Sequence, residues 1–442
     1  SKTSSICKSV HTFLLKRIFF TKNDFDHDCP YIGLFKYHPQ MRVFLMLNGI
    51  FFHNADSYIR FVWPLLVTSL ALVATAFELM FIYHGVATKD YSFATESFCY
   101  FITLFTVPIV NTSLLVNRRK LVDLLYSMDR DFQYICSLES KYRNTFLKGQ
   151  LLIWQLCISW FGFTLMISFM YFCRTLAILL YQSLFATQTE YLIRPLMFPF
   201  WLPNDDPFRT PNYEVFLSLQ IFVSAVVVPQ AFCVYVYILF HILLHYYYLM
   251  SMIIYDCEVL FNDLDPSVVE LSKYDPRRIE VQFALSSRMR RIVKWHNLVI
   301  KSIETVSSVC GPPLVYQVMF SSLPICLMAY QVADSLDHGK FNIIFAMFCV
   351  ATCVQLWIPC YLGTLFRDKA FAVGDALWNS GWHATPLGRL LRNDITLVIM
   401  RSQRPLSIKF TGLPNLDLET FCSIMSTAYS YFNLLRRYSR DV

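Results

Sequence analysis

The sequence predicts an all-α membrane protein with seven transmembrane helices. Of its 442 residues, 55% are hydrophobic and only 16% are charged, whereas soluble domains average about 25% charged residues. Several apolar runs reach the roughly 20 residues that a helix needs to cross a bilayer. No regular alternation of about ten residues suggests a membrane β-barrel. Because backbone polar groups in lipid must be satisfied within the spanning segment, helices are the expected elements.

Hydropathy locates the spans along the chain. They are predicted at 58–83, 96–116, 147–173, 213–241, 303–333, 341–366 and 414–435. The last span is the least apolar and is identified partly by the turn before it and by its aromatic residues. The run from Val43 to Phe52 is too short to span and is expected at the membrane interface. The basic start of the chain does not have the pattern of a signal peptide.

The distribution of positive charge predicts the orientation. A cytoplasmic N-terminus puts most of the 38 Lys and Arg residues on the cytoplasmic side, where such residues collect. Basic clusters at 118–120, 288–294 and 367–369 lie close to span ends, whereas the loops near Lys89 and 334–340 lack them. Seven crossings then place the C-terminus outside the cell. This orientation is opposite to that of G-protein-coupled receptors.

The polar segments complete the predicted organisation. Segments 242–302 and 367–413 keep helical apolar periodicity, so they are expected to continue the spans as cytoplasmic anchor helices, the second leading into helix seven. Repeated prolines in the external loop 174–212 predict a structured but non-helical cap. The expected regions are 1–57 (cytoplasmic or interfacial), 58–241 (spans one to four), 242–302 (anchor), 303–366 (spans five and six), 367–413 (anchor) and 414–442 (last helix and a short external tail).

Little in the sequence favours catalysis or metal binding. We find no Gly-rich phosphate loop, no nucleophile elbow and no paired carboxylates at catalytic spacing within a span. His241 and His245 share a helical face, but only Ile and Leu lie between them, so packing is favoured over a metal site. Glu78, the main charge inside a span, must face protein or extend toward the surface. We expect no enzyme activity, cofactor, metal or nucleic-acid partner.

Aromatic and Met residues concentrate in the outer halves of several spans. Such walls suit a small apolar molecule that is bound mainly by burial, with a few polar groups setting selectivity. For any single residue, contact with lipid or packing between helices is at least as good an explanation as ligand binding. The prediction of a binding site therefore rests on the whole cluster. The candidate ligand-binding residues are Phe98, Tyr100, Phe101, Met166, Phe169, Met170, Tyr213, Phe216, Tyr316, Phe320, Phe345 and Phe348.

The last span carries a polar stripe at helical spacing. Hydroxyl and amide groups can replace part of an ion's hydration shell, and an apolar ring can close a pore by dewetting. Small polar residues also join helices in membranes, so helix packing has about equal claim to this stripe. The candidate pore-lining residues are Ser423, Thr427, Ser430, Asn433 and Leu434. Several subunits would have to contribute to such a pore.

A series of short motifs resembles the insect odorant receptor family over essentially the whole chain. The strongest matches are Cys360-Tyr361-Leu362-Gly363, Ala376-Leu377-Trp378-Asn379-Ser380 with Trp382, Arg401-Ser402-Gln403-Arg404-Pro405, Thr420-Phe421 and Tyr429-Ser430-Tyr431-Phe432-Asn433-Leu434-Leu435-Arg436. Weaker matches are Phe198-Pro199-Phe200-Trp201-Leu202-Pro203 and Val293-Lys294-Trp295-His296. Trp378 departs from the Tyr that many members carry. Arg436 and Arg437 favour the odorant branch over the gustatory one.

The resemblance implies a ligand-gated, non-selective cation channel in the plasma membrane of a sensory neuron dendrite. Family members are tetramers in which a ligand-specific subunit combines with a shared odorant receptor co-receptor. This chain resembles the ligand-specific kind, because it lacks the co-receptor's long insertion between spans four and five. The matching implies that the last helix lines the pore and that Leu434 is the gate. The implied partners are the co-receptor in a heterotetramer, a small volatile odorant or pheromone, permeating cations and membrane lipid.

Two other functional classes are weighed against the channel. A metabotropic seven-helix chemoreceptor acting through G proteins would have the opposite membrane orientation. A transporter would show internal repeats or broken helices in matching halves, and the sequence shows neither. The channel subunit is therefore the favoured hypothesis, and the metabotropic receptor is the alternative.

Overall fold

In a computed structural model the chain folds as a bundle of long helices. The structure describes residues 33–50, 58–185, 194–203, 206–339, 341–404, 406 and 415–441, so most of the N-terminal segment 1–57 and most of the turn before the last span lie outside the described residues. The α-helices are α1 Leu34–Tyr37, α2 Pro39–Leu47, α3 Val62–Ala87, α4 Tyr91–Val116, α5 Arg118–Cys136, α6 Ser140–Phe185, α7 Asn212–Phe222, α8 Val228–Glu258, α9 Pro276–Phe320, α10 Ser322–Asp337, α11 Ile343–Asn379, α12 Gly388–Ser402 and α13 Leu418–Asp441. A π-helical segment, Val223–Val227, joins α7 to α8.

The all-α membrane class is confirmed. Among the described residues, six helices are long and apolar enough to span a bilayer: α3, α4, α6, the continuous α7–α8 unit, α9 and α11. These helices overlap the first six predicted spans. The seventh predicted span is α13, which is amphipathic and packs one apolar face on α10 and α11.

The predicted fifth span is divided into two helices. We expected one helix over 303–333, but α9 ends at Phe320 and α10 begins at Ser322. Pro324 explains the break, because it has no N–H to donate to the carbonyl of Phe320 and its ring clashes with that carbonyl. The junction between the two helices, called the α9–α10 corner below, lines an internal cavity through Ser321 and Pro324.

Segment 174–212, which is predicted to be external and is called the external segment below, is also more helical than expected. Helix α6 continues to Phe185, and the described non-helical part begins at Arg194. The prolines that suggested a non-helical cap start only at Pro195. The prolines therefore do mark a non-helical segment, but this segment begins later in the chain than predicted.

Below the predicted spans, a densely packed region forms around the second half of α8. This anchor end comprises α1, α2, α5, α12 and the adjoining parts of α6, α8, α9 and α11, which share one continuous apolar core. Arg291 donates two hydrogen bonds of 2.8 Å to the Asp256 carboxylate, and the Tyr142 hydroxyl donates a third of 2.6 Å. Asp256 is 7% exposed, so its charge is paired where water cannot solvate it.

The two histidines considered as metal ligands lie inside this core. His241 and His245 are 2% and 0% exposed. The Nδ1 atom of His245 lies 3.5 Å from Nε2 of Gln150, whose Oε1 is 2.9 Å from Nε2 of His38. The three side chains thus link α2, α6 and α8 by polar contacts within an otherwise apolar core.

The start of α13 docks closely on α11. At Gly363 an added Cβ atom would overlap the carbonyl oxygen of Leu416, so only glycine allows this approach. The backbone N–H of Leu418 donates to Thr364 Oγ1 at 3.0 Å, and Arg367 pairs with Asp417 at 3.4 Å. These contacts explain structurally why the Cys360 to Gly363 motif contains a glycine.

Candidate ligand-binding site

An inner cavity of about 120 Å³ lies where the α9–α10 corner faces α4, α6, α8 and α11. It forms because Pro324 ends α9 early and leaves a gap that the neighbouring helices do not fill. Its lining is mostly apolar and aromatic. The lining residues are Ile102, Thr103, Thr106, Trp160, Phe163, Thr164, Ile167, Ser168, Val228, Phe232, Tyr316, Gln317, Phe320, Ser321, Pro324, Phe348, Ala351, Thr352 and Gln355.

An outer cavity of about 130 Å³ lies between α3, α4, α6, α7 and the described external segment. It also touches the π-helical segment. The lining residues are Ala74, Phe77, Glu78, Phe81, Tyr100, Thr103, Leu104, Ile167, Ser168, Tyr171, Phe198, Phe200, Leu219, Gln220, Val223, Ser224, Val228 and Phe348.

The two cavities adjoin each other. The residues that line both are Thr103, Ile167, Ser168, Val228 and Phe348. Each cavity alone is smaller than the roughly 300 Å³ at which drug-sized ligand pockets begin. Rotamer changes in this shared wall would join them into one longer chamber.

Most polar groups of the inner cavity are already hydrogen-bonded to backbone. The Tyr316 hydroxyl donates to the Ile102 carbonyl at 3.1 Å, and Gln317 Nε2 donates to the Gln355 carbonyl at 2.7 Å. Trp160 Nε1 and Ser321 Oγ are buried without a hydrogen-bond partner among the described residues. An unpaired buried donor favours a ligand that carries an acceptor oxygen.

The polar groups of the outer cavity hold its walls together. Gln220 fixes the external segment, because its Oε1 accepts from the backbone N–H of Met197 at 2.9 Å and its Nε2 donates to the Phe198 carbonyl at 3.2 Å. The Tyr100 hydroxyl donates to Glu96 at 3.1 Å and lies 3.2 Å from that of Tyr171. Glu78 is 6% exposed and faces protein, one of the two positions expected for it.

The predicted ligand-binding residues fall into three groups. Tyr100, Tyr316, Phe320 and Phe348 line the cavities. A second group packs behind the cavity walls and consists of Phe98, Phe101, Met170, Tyr213, Phe216 and Phe345. In this group Phe101 stacks on Phe98 and Phe105. The rings of Phe216 and Phe200 are 4.2 Å apart between centroids. Met166 and Phe169 lie outside both cavities on the exposed face of α6.

The residues that sequence reasoning missed come mainly from the middle of the spans. They include Trp160, Thr103, Thr106, Ser168 and Gln355. Small polar residues at helical spacing inside apolar runs were a usable signal, since a polar group in a span must face protein or a cavity. The aromatic and Met residues near the outer ends of the spans do not reveal this polar lining.

The predicted pore-lining residues share one face of α13. Ser423, Thr427, Ser430, Asn433 and Leu434 are all exposed in the single chain. The opposite face packs on α10 and α11 through Phe421, Ile424, Met425, Ala428, Phe432 and Leu435. Arg436 adds an ion pair with Asp337 at 3.1 Å.

The sequence of this chain matches a known protein family. The model of the 7tm odorant receptor family matches residues 90–429. Odorant receptor 67c of Drosophila melanogaster is 31% identical over 145 residues, which are 33% of this chain and 35% of that protein. Odorant receptor 82a of the same organism is 27% identical over 252 residues, 57% of this chain and 58% of that one. The chain thus matches between about a third and somewhat over half of the length of these relatives.

Structure comparison agrees with the fold. The insect olfactory receptor OR5 from Machilis hrabei superposes with a TM-score of 0.65 at 17% identity, covering 91% of this chain and 98% of the receptor. The structure of that receptor in complex with eugenol gives a TM-score of 0.66 at 16% identity, covering 92% and 98%.

Proposed function

The chain belongs to the 7tm odorant receptor family, and on that premise we propose that it is the odorant-binding subunit of a heteromeric, ligand-gated cation channel. Its site carries no enzymatic function. A small apolar volatile or pheromone would occupy the inner cavity and extend into the outer one. The observation that carries this proposal is the short distance along the chain between cavity-lining residues and residues that hold α13.

The ligand class follows from the lining. Aromatic and aliphatic side chains dominate both cavities, so burial of apolar surface would supply most of the affinity. The unpaired Trp160 N–H and Ser321 hydroxyl would favour ligands with one acceptor oxygen, such as an ester, ketone or ether. These two groups lie on α6 and at the α9–α10 corner, so one ligand would contact both elements.

Ligand binding would be coupled to the pore through α10 and α11, because both helices contact the inner cavity and α13. Pro324 lines the inner cavity, while the next residues, Ile325 and Cys326, pack on α13. On α11, Gln355 lines the cavity and Leu356 packs on α13. Expansion of the cavity would therefore displace the surface that positions α13. A ligand that binds better when α13 has moved outward would shift the population toward that state.

The exposed polar face of α13 would then line a pore shared between subunits. Ser423, Thr427, Ser430 and Asn433 would contact permeating cations, and Leu434, 67% exposed, would form the apolar constriction. Homologous helices from other subunits would be needed to enclose the pore, and the family resemblance implies that a heterotetramer with the odorant receptor co-receptor supplies them. The cytoplasmic N-terminus and external C-terminus are part of the proposal.

The decisive experiment expresses the chain with and without a co-receptor and records currents during a screen of volatile compounds. We expect odorant-evoked cation currents only with the co-receptor, persisting when G-protein signalling is blocked. A C-terminal epitope should be detected on intact, unpermeabilised cells. Detection only after permeabilisation, with currents abolished by the G-protein block, would instead establish the metabotropic alternative.

A further inference from the structure

A wide groove opens on the lipid-facing side of the bundle, between α6 and the α7–π unit. We call it the lateral groove. It has a volume of about 600 Å³, larger than both internal cavities. Its lining residues are Leu165, Met166, Ser168, Phe169, Phe172, Met197, Ile221, Ser224 and Ala225.

The lateral groove is apolar and accessible. Phe169 is 62% exposed, Met166 is 41% exposed and Phe172 is 37% exposed. Only 11% of the apolar window of α6 is buried inside the chain, the smallest share among the six candidate spans. In a bilayer this side of α6 therefore faces lipid, and a concave surface there must be filled by lipid chains or by another apolar molecule.

The lateral groove adjoins the outer cavity. Ser168 and Ser224 line both, and Ser168 also lines the inner cavity. The Ser168 hydroxyl donates to the Ser224 carbonyl at 2.9 Å and so bridges α6 to the π-helical segment at this point. This hydrogen bond between two small residues therefore lies on the boundary between the groove and the cavity.

The backbone near this boundary is unusual. Ser224 belongs to the π-helical segment Val223–Val227, where the regular hydrogen-bond ladder of an α-helix is interrupted. Such π-bulges occur frequently at functional sites. Within the membrane, irregular backbone occurs only where protein or a cavity satisfies it, and here the Ser168 hydroxyl supplies that partner.

We propose that the lateral groove is a second binding subsite and the entry route for the apolar ligand. A small uncharged molecule dissolved in the lipid would bind against Phe169 and Met166, then pass between Ser168 and Ser224 into the outer cavity. The step requires the Ser168–Ser224 hydrogen bond to break and α6 to move away from the π-helical segment. This inference rests on the proposed function for the identity of the ligand, but the route itself is testable with any apolar probe.

The test uses a short-chain alkyl diazirine of odorant size, added to proteoliposomes that contain the full chain and photolysed at increasing times. Labelled peptides are quantified by mass spectrometry. The labelled residue within each peptide is identified: Leu165, Met166, Phe169, Phe172 and Ala225 report on the groove, and Phe77, Phe81, Phe198 and Phe200 report on the outer cavity. We expect the groove peptides to be labelled first and the cavity peptides after them.

The variant Ala225→Trp fills the groove from an exposed position without touching the cavity lining. It should slow labelling of the cavity peptides by about tenfold, as a barrier raised by about 1.4 kcal/mol would. Leu72→Trp, at a 48% exposed position on α3, is the matched control and should leave both rates unchanged. Leu165→Trp replaces Ala225→Trp if the latter is not monodisperse.

The possible outcomes separate the two proposals. Cavity labelling at an unchanged rate in the groove-filling variants would overturn the route and leave the proposed ligand cavity intact. Groove peptides that stay unlabelled because lipid chains occupy the groove would also overturn it. Groove labelling with no cavity labelling at any time would count against the proposed ligand cavity as well.

Discussion

The anchor end and the cavity end of the bundle contain parts of the same helices but are packed differently. At the anchor end, the second half of α8 is largely buried, including Tyr246, Leu249 and Ile253, and the charge of Asp256 is paired. At the cavity end, two cavities remain between the helices, a π-helical segment precedes α8, and α9 is separated from α10 near Pro324. The same long helices thus pass from a dense core into a region with internal space.

This difference shows where stability and motion are expected to reside. Dense apolar packing and paired buried charges resist local opening, whereas gaps and interrupted helices lower its cost. A receptor needs both properties, because a ligand must be able to shift one part while the subunit stays folded. Mutations at the two ends should therefore separate stability from ligand response.

The largest expected effect is on stability at the anchor end. Arg291→Ala leaves the buried Asp256 carboxylate with only the Tyr142 hydroxyl as a partner, which should lower the free energy of unfolding by about 3 kcal/mol. Thermal unfolding of the purified protein, followed by loss of the monodisperse peak, measures the change. Arg290→Ala, an exposed neighbour, is the control. An equal drop in both variants would show that the ion pair has no special role.

The next effect should appear in the ligand response at the cavity end. Phe348→Ala removes a side chain that lines both cavities, and the ligand concentration for half-maximal current should change by about tenfold or more, since each lost methylene contact is worth about 1 to 3 kcal/mol. Phe341→Ala, at a 61% exposed position outside both cavities, is the matched control. Identical dose-response curves for both variants would remove Phe348 from the site.

A smaller effect is expected where α13 connects the two ends. Leu434→Ala shortens an apolar side chain that is 67% exposed, so it should raise the current without ligand by a few-fold and leave thermal stability unchanged. Leu435→Ala, on the packed face, should instead lower stability. If both variants conduct like the native chain, α13 does not line the pore.

The smallest expected effect is a pH dependence of the anchor end. Burial raises the pKa of Asp131 to about 7, although Arg130 and Lys294 partly offset it. Since the folded-state pKa exceeds the unfolded value of 3.8, this contribution to stability is full below pH 3.8 and is lost as the pH rises toward 7. Asp131→Asn should flatten the fall in melting temperature between about pH 4 and 7, the range between the unfolded and the folded pKa of Asp131. An unchanged slope would assign the pH dependence to other groups.

Much of the fold follows from local sequence patterns. Hydropathy located six spans, and amphipathic periodicity predicted the helices of the anchor region. Errors occurred where a single residue altered the backbone: Pro324 divided the fifth span, and the late start of the proline series let α6 run to Phe185. Both prolines and their positions were visible, but a proline inside an apolar run does not by itself show whether a helix bends or ends.

The candidate site was less accessible to the same reasoning. Tyr316 and Phe348 line the cavities, whereas Phe101 and Phe345 stack or pack behind the walls although they belong to the same aromatic cluster. Ser168 drew no attention in the sequence, yet it touches both cavities and the lateral groove. Aromatic content predicts that a helix has a face to bury, and it does not predict which side meets a gap.

The sequence by itself therefore determined that the chain lies in lipid, that its elements are helices and roughly where the spans lie. Hydropathy and helical period reveal these features because they depend on residues close together in the chain. The series of motifs from Cys360 to Arg436, taken in their order and spacing, indicated the family. Only the tertiary structure decided which side chains enclose the cavities and where the bundle opens to lipid. Those features depend on how helices far apart in sequence cross, and on the few side chains that fail to fill the space between them.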